Sequence, residues 1–165
     1  MANFSFDAVS DYDKAELNNV FDQVKREIAS RYDFKNTPAA IEWLNEDKTG
    51  FKLTGANDYQ IDAILDLIRK KLSMRGQSQN VIDGTKDKVN SNLKVTLEVP
   101  FKQGLDQAKT KKLAGLIREK LPKLKSVIQG ETLRVSGPSK NDLQEAITII
   151  RSEPLDYPLQ FINFR

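Results

Sequence analysis

The sequence predicts an α+β fold of two tandem modules, each with an antiparallel sheet and two helices on one face. Short segments with alternating apolar residues, typical of strands with one buried face, are interspersed with longer segments whose apolar residues recur every three to four positions, typical of helices. The same order of segments occurs twice within 165 residues. Residues 51–69 also resemble residues 133–151 at a constant offset of 82, which indicates an internal duplication.

The second half gives the clearer pattern. Residues 93–99 alternate apolar and polar side chains and predict a strand. A helix is predicted between Gly104 and Pro122, and two short strands follow. A second helix begins near the potential N-cap Ser139, and a last strand is predicted for residues 159–164. The order is βαββαβ, the ferredoxin-like arrangement, which leaves one face of the sheet open.

The first half repeats this order, with strands predicted around Phe6 and at residues 40–44 and 50–54. Its fourth strand is poorly marked, because residues 73–92 are mostly polar. We therefore predict two tandem ferredoxin-like sandwiches, residues 1–90 and 91–165. A strand exchanged between the modules, either the N-terminal strand or the fourth strand of the first module, fits the pattern equally well.

Composition narrows the class of function. The sequence contains no cysteine and no histidine, which excludes disulfides, thiolate nucleophiles and the usual zinc ligands and general bases. It also lacks the G-x-x-x-x-G-K-[ST] and G-x-G-x-x-G loops that hold phosphates in many nucleotide-dependent enzymes. We expect a protein that binds without catalysing a reaction and needs neither cofactor nor metal.

Hydrophobic residues make up 39% and charged residues 30% of the chain, as is typical of a globular protein. No apolar run approaches the roughly 20 residues needed to cross a bilayer, and the first residues do not resemble a signal peptide. We therefore expect a cytoplasmic protein without a membrane partner.

The strongest functional signal is a concentration of positive charge in residues 101–125. Eight basic residues stand there against two acidic ones, a net charge of +6. Clustered lysine and arginine neutralise phosphates and make binding salt-dependent, so Lys102, Lys111, Lys112 and Arg118 are candidate ligands of a phosphate. An ordinary solvated helix face is the alternative.

The open sheet face of the second module is expected to carry Lys94, Thr96, Gln129 and Arg134, a polar and partly basic platform. RNA-recognition modules need aromatic residues on the third strand for stacking, and residues 133–136 contain none. Phe101, Phe161 and Phe164 are candidate stacking rings, with packing between helices and sheet or between the modules as the alternative.

Residues 31–36 interleave aromatic and basic side chains after the first helix. Such a loop can clamp a base and its phosphate, which makes Arg31, Phe34 and Lys35 candidate ligands. The alternative is that the aromatic rings cap the core where the chain turns.

Several short motifs, in order along the whole chain, resemble one known family. They are residues 4–7 (FSFD), 30–36 (SRYDFKN), 104–105 (GL), 111–112 (KK), 128–131 (IQGE), 133–137 (LRVSG), 142–144 (DLQ) and 160–165 (QFINFR). This is a resemblance to the YajQ family, which implies two tandem ferredoxin-like, RNA-recognition-like folds in a bacterial cytoplasmic nucleotide-binding protein. It also implies a link to cyclic di-GMP in some members and to RNA or GTP in others. The chain departs from the family pattern at residues 138–141, where only Lys140 is basic and more positive charge is expected.

The leading hypothesis is a non-enzymatic nucleotide-binding protein that recognises cyclic di-GMP or another guanine nucleotide. An RNA-binding tandem module and a protein-interaction adaptor are the alternatives. The candidate nucleotide-binding residues are Arg31, Phe34, Lys35, Phe101, Lys102, Lys111, Lys112, Arg118, Gln129 and Arg134.

Overall fold

The computed structural model describes residues 3–165, which form eight strands, four α-helices and two short 3₁₀ turns. The strands are β1 (Phe4–Val9), β2 (Ala40–Trp43), β3 (Gly50–Gly55), β4 (Val89–Ser91), β5 (Lys94–Pro100), β6 (Lys125–Gln129), β7 (Thr132–Gly137) and β8 (Gln160–Ile162). The helices are α1 (Lys14–Ser30), α2 (Asp58–Met74), α3 (Gln107–Lys120) and α4 (Lys140–Ser152). No helix among these residues is both long and apolar enough to span a membrane.

The strands form two antiparallel four-stranded sheets, ordered β6-β7-β1-β8 and β2-β3-β5-β4. The chain accordingly divides into two compact units. Unit 1 contains the residues up to Asp11 together with Gln103–Arg165, and unit 2 is the continuous segment Tyr12–Lys102. Each unit has the strand order and the two helices of a ferredoxin-like sandwich, so the predicted fold class is confirmed.

The first strand of each half belongs to the other half's sheet. β1 lies between β7 and β8 in unit 1, and β5 lies between β3 and β4 in unit 2. The units therefore do not coincide with the continuous segments 1–90 and 91–165, and the N-terminal strand is exchanged. The physical reason is that alternation along a strand specifies which face is buried, whereas long-range hydrogen bonding decides which sheet the strand joins.

Unit 1 buries one face of its sheet against α3 and α4. Phe6, Ala8, Leu133 and Val135 point to the helices, and none of them is exposed. Both helices begin at a side-chain cap: Asp106 accepts a hydrogen bond from the Lys109 backbone N–H, and Ser139 accepts one from that of Asp142. Their buried residues include Leu113, Ile117, Leu143 and Ile147.

Unit 2 is built in the same way around a second core. The buried stripes of α1 and α2 pack against Phe51 and Leu53 of β3 and the alternate valine and leucine residues of β5. Val81 and Ile82, which precede the last edge strand, are also buried in this core. The edge strand β4 has only three residues, and all of them are exposed. Such a short strand has no buried side chains, which explains why the polar sequence of residues 73–92 gives only a weak prediction of a strand.

Candidate functional site

A cleft in unit 2 opens between the C-terminal end of α1, the turn that follows it and the start of β2. Its volume is about 420 Å³, within the range of about 300–1,000 Å³ that small-molecule sites occupy. The lining residues are Lys25, Ile28, Ala29, Phe34, Lys35, Asn36, Ala39, Ala40 and Ile41.

The turn after α1 shapes this cleft. The Arg31 backbone N–H donates to the Glu27 carbonyl at 2.9 Å and ends the helix, and a single 3₁₀ turn follows at Tyr32–Phe34. Asn36 then has a φ of 58°, a left-handed conformation that asparagine tolerates better than most residues. The Thr37 hydroxyl donates to the Phe34 carbonyl at 2.6 Å and holds the reversal that leads into β2.

The cleft combines an apolar floor with a cationic rim. Ile28, Phe34 and Ile41 are buried in the core of unit 2 and form the floor. Lys25 and Lys35 are exposed at the rim, and the residues that line the cleft include no acidic side chain. This arrangement suits a ligand with a flat apolar part and a negative charge.

Arg31 supports the turn and does not line the cleft. Its guanidinium donates to both carboxylate oxygens of Asp33, at 3.0 and 2.8 Å, and lies 4.7 Å from the centroid of the Phe34 ring. These hydrogen bonds lower the pKa of Asp33 and raise that of Arg31. The amide of Gln60 also donates to the Asp33 carbonyl at 3.3 Å, so the N-terminal turn of α2 holds the loop as well.

Three of the residues predicted from the sequence therefore lie together, with different roles. Lys35 is at the rim of the cleft, Phe34 is in the floor, and Arg31 is behind the turn. Only 4% of Phe34 is exposed, so its ring offers an apolar floor and no open stacking surface.

Phe101 and Lys102 directly follow β5 in unit 2. The Phe101 ring packs 4.9 Å from Phe51 and 5.0 Å from Tyr12, between ring centroids, which favours the interpretation that it is part of the core. Lys102 interacts electrostatically with Asp83. The pKa of the Asp83 carboxyl is lowered mainly by hydrogen bonds from Thr85, and the positive charge of Lys102 lowers it further.

Lys111, Lys112 and Arg118 are exposed on α3 in unit 1, outside the buried stripe of that helix. Within the described part of the chain, no acidic oxygen lies within 4.0 Å of their charged groups. Lys112 borders a groove whose lining also includes Glu119 and Glu153, which offset its charge there. The helix face therefore offers charge for a phosphate, but the groove beside Lys112 also carries two acidic side chains that disfavour a phosphate there.

The expected polar platform on one sheet face is divided between two sheets. Gln129 and Arg134 belong to the sheet of unit 1, whereas Lys94 and Thr96 belong to that of unit 2. The expectation that all four share a face was wrong, because it placed β5 in the sheet of the second half. Arg134 is moreover hydrogen-bonded to Asp7, so much of its charge is already balanced.

Lys25 was not among the residues singled out from the sequence. It precedes Ala29 by four positions in α1, so both residues lie on the side of the helix that faces the turn. A helical projection combined with the candidate loop at residues 31–36 would have brought Lys25 into consideration.

The fold and the cleft together define a tandem ferredoxin-like protein with the features of a small-ligand binder. The sequence profile of the family described as "Nucleotide-binding protein YajQ-like" matches residues 4–165, and the chain belongs to this family. The resemblance seen in the sequence is thus confirmed.

Proteins of three bacterial species illustrate how similar the relatives are. A protein of Edwardsiella ictaluri is 39% identical over 161 residues, one of Pectobacterium carotovorum is 37% identical and one of Yersinia pestis is 36% identical. In each case the match covers 98% of this chain and 98% of the relative, and each relative is named a nucleotide-binding protein.

Proposed function

We propose that this protein binds a nucleotide in the cleft of unit 2. The observation that carries the proposal is an apolar floor, with Phe34 and Ile41, beneath a rim that carries Lys25 and Lys35. The base lies against the floor, where it displaces water from apolar surface, and the phosphates lie at the lysines. The names of the relatives support the choice of a nucleotide over other aromatic anions.

More specifically, we propose that the nucleotide is a cyclic dinucleotide such as cyclic di-GMP. Lys25 lies on α1 and Lys35 in the turn, so the two cations stand on different walls of the cleft. That placement suits a ligand with two separate phosphates. The exposed amide of Asn36 supplies both a donor and an acceptor for the edge of a guanine base.

The proposed role is binding without turnover, in the cytoplasm. Nucleotide incubated with the protein should be recovered unchanged by chromatography, and cell fractionation should find the protein in the cytoplasmic fraction. Product that accumulates in proportion to protein would instead establish an enzyme.

The test is a fluorescence anisotropy titration of labelled cyclic di-GMP with the wild type and two double variants. Lys25→Ala with Lys35→Ala should weaken binding at least tenfold, because each lost charge-assisted contact contributes about 1 kcal/mol or more. Lys52→Ala with Lys94→Ala is the matched control, since both residues are exposed lysines of unit 2 strands and neither lines the cleft. Equal affinities of the two double variants would contradict the assignment of the cleft.

Competition with unlabelled GTP and a short single-stranded RNA identifies the ligand class. Displacement by GTP at similar concentrations indicates a general guanine nucleotide site. Displacement by neither competitor indicates a dedicated cyclic di-GMP site.

RNA binding is a second candidate function, favoured by the exposed cations Lys111, Lys112 and Arg118 on α3, which have no ion pair within 4.0 Å among residues 3–165. Lys111→Ala with Lys112→Ala should weaken binding of single-stranded RNA and flatten its dependence on salt, because fewer counterions are released. An unchanged affinity and an unchanged salt slope would remove α3 from the RNA site.

A protein-interaction adaptor is a third candidate. Leu93 is 96% exposed in the turn between β4 and β5, so its apolar side chain gains nothing from burial within the described part of the chain. Binding partners retained at high salt and after nuclease treatment, but lost with Leu93→Ala, would favour this function.

A further inference from the structure

Unit 1 contains a pocket of its own, between the start of β1, the first turns of α4 and the segment after β8. Its volume is about 340 Å³, also within the range of about 300–1,000 Å³ for small-molecule sites. The lining residues are Phe4, Ser5, Lys140, Leu143, Gln144, Phe164 and Arg165.

Backbone pairing holds the last residues of the chain against β1. The Ser5 N–H donates to the Arg165 carbonyl at 3.1 Å, and the Arg165 N–H donates to the Ser5 carbonyl at 3.0 Å. Asn163, with a φ of 55°, turns the chain between β8 and this pairing, and its side chain donates to Asp7 at 2.9 Å. The wall formed by Phe164 and Arg165 is therefore built into the fold.

The two aromatic rings of the pocket differ in their surroundings. The ammonium of Lys140 lies 5.0 Å from the centroid of Phe4 and occupies one face of that ring. Phe164 contacts Phe6 at a centroid distance of 6.1 Å, yet 59% of its surface is exposed. Phe164 is thus the ring with free surface for a ligand, and exposed aromatic surface of this size favours stacking.

The polar groups of the pocket set the charge of its ligand. Lys140 and Arg165 bring two positive charges, and the lining residues include no acidic side chain. No ion pair within 4.0 Å joins either cation to another residue in the described part of the chain. Ser5 and Gln144 add neutral hydrogen-bonding groups beside the apolar surface of Leu143.

We propose that this pocket is a second ligand site, for a flat aromatic anion of the nucleoside monophosphate class. The base stacks on Phe164, Gln144 hydrogen-bonds to its edge, and Lys140 and Arg165 hold the phosphate. The site shares no residue with the cleft of unit 2, so the proposal stands whether or not that cleft binds a nucleotide. Segments 4–7, 142–144 and 160–165, which are distant in the sequence, all contribute to it.

Two-dimensional ¹⁵N NMR of the full chain titrated with GMP tests the two sites separately. Saturable shifts of the amides of Ser5, Leu143 and Gln144 are expected for the pocket, and shifts of Lys35 and Asn36 report on the cleft. Phe164→Ala should weaken binding of GMP at the pocket about tenfold, because one base–aromatic stack is lost. Binding of GMP at the cleft should stay unchanged. Lys140→Ala should weaken binding of GMP more than binding of guanosine.

Each further outcome decides for or against the second site. Unshifted pocket amides at millimolar GMP overturn it, whatever the amides of the cleft do. Equal binding of GMP and guanosine overturns the phosphate assignment, and equal effects of GMP and inorganic phosphate overturn the role of Phe164. Shifts in the pocket alone support the second site and contradict the proposed cleft.

Discussion

Asp7 of β1 accepts two hydrogen bonds from the guanidinium of Arg134 on β7, with Nε–Oδ1 and Nη2–Oδ2 distances of 2.9 and 3.4 Å. The two residues are direct partners in the antiparallel register. The side chain of Asp7 is only 6% exposed and that of Arg134 is 39% exposed. The pair therefore ties the exchanged N-terminal strand to its sheet, and it leaves Arg134 with little unbalanced charge for a phosphate.

The first prediction concerns pH. The hydrogen bond from Arg134 lowers the pKa of Asp7 in the folded protein, so ionised Asp7 stabilises the fold at pH values above its unfolded pKa. This stability is lost as the pH falls through the lower folded pKa. Asp7→Asn should lower the free energy of unfolding by about 1–2 kcal/mol at pH 7, because it removes a charged hydrogen-bond acceptor.

Urea unfolding measured between pH 7 and pH 2 checks this expectation. The difference between wild type and Asp7→Asn should shrink at acid pH, where the wild-type carboxylate is protonated. A difference that stays constant over this range would show that Asp7 does not contribute through its charge. Asp22→Asn is a suitable control, since Asp22 is exposed in the middle of α1, away from the helix ends, and no ion pair of its side chain lies within 4.0 Å among residues 3–165.

The second prediction concerns fragments. Residues 12–102 include every strand and helix of unit 2 and all buried residues of its core, so this fragment should fold alone. Residues 91–165 lack β1, which supplies the buried Phe6 and is the strand that pairs with β8. This second fragment should remain unfolded. Circular dichroism and NMR dispersion distinguish the outcomes, and a folded 91–165 fragment would contradict the observed topology.

The third prediction concerns the turn between β4 and β5. Leu93 has a φ of 64°, and the left-handed conformation costs a residue with a Cβ roughly 1 kcal/mol or more. Leu93→Gly should therefore raise the free energy of unfolding by about 1 kcal/mol in thermal or urea unfolding. Leu93→Ala removes the same exposed side chain but keeps the Cβ, so it should bring no such gain. Equal stabilities of the glycine and alanine variants would show that backbone strain at position 93 is negligible.

The fourth prediction concerns the exposed face of α3. A Cβ added at Gly115 would meet no atom within 4 Å, and glycine is about 1 kcal/mol less favourable than alanine within a helix. Gly115→Ala should thus raise the melting temperature. Gly50→Ala is the opposite control, because its Cβ would lie 2.6 Å from the Val99 carbonyl oxygen, and this variant should be less stable. A Gly115→Ala protein of lowered stability would mean that the α3 face is packed in solution.

The candidate site was only partly accessible to sequence reasoning. Residues 31–36 drew attention because they interleave charge and aromatic rings, and the structure places Phe34 and Lys35 in one cleft. The separate roles of these residues could not be predicted, because a sequence does not show whether a ring such as Phe34 points into the core or into solvent. Phe164 was a candidate stacking ring, but the pocket of unit 1 was not predicted, because its walls come from segments more than 130 residues apart in the sequence.

By itself the sequence determined the kinds of segment, the βαββαβ order, the two modules and the family. Local periodicity, turn residues and short motifs encode these features, and none of them requires knowledge of distant contacts. The tertiary structure decided that β1 and β5 are exchanged, that Asp7 neutralises Arg134, and which side chains line each cavity. These features arise from hydrogen bonding and packing between residues far apart in the chain, which no local pattern records.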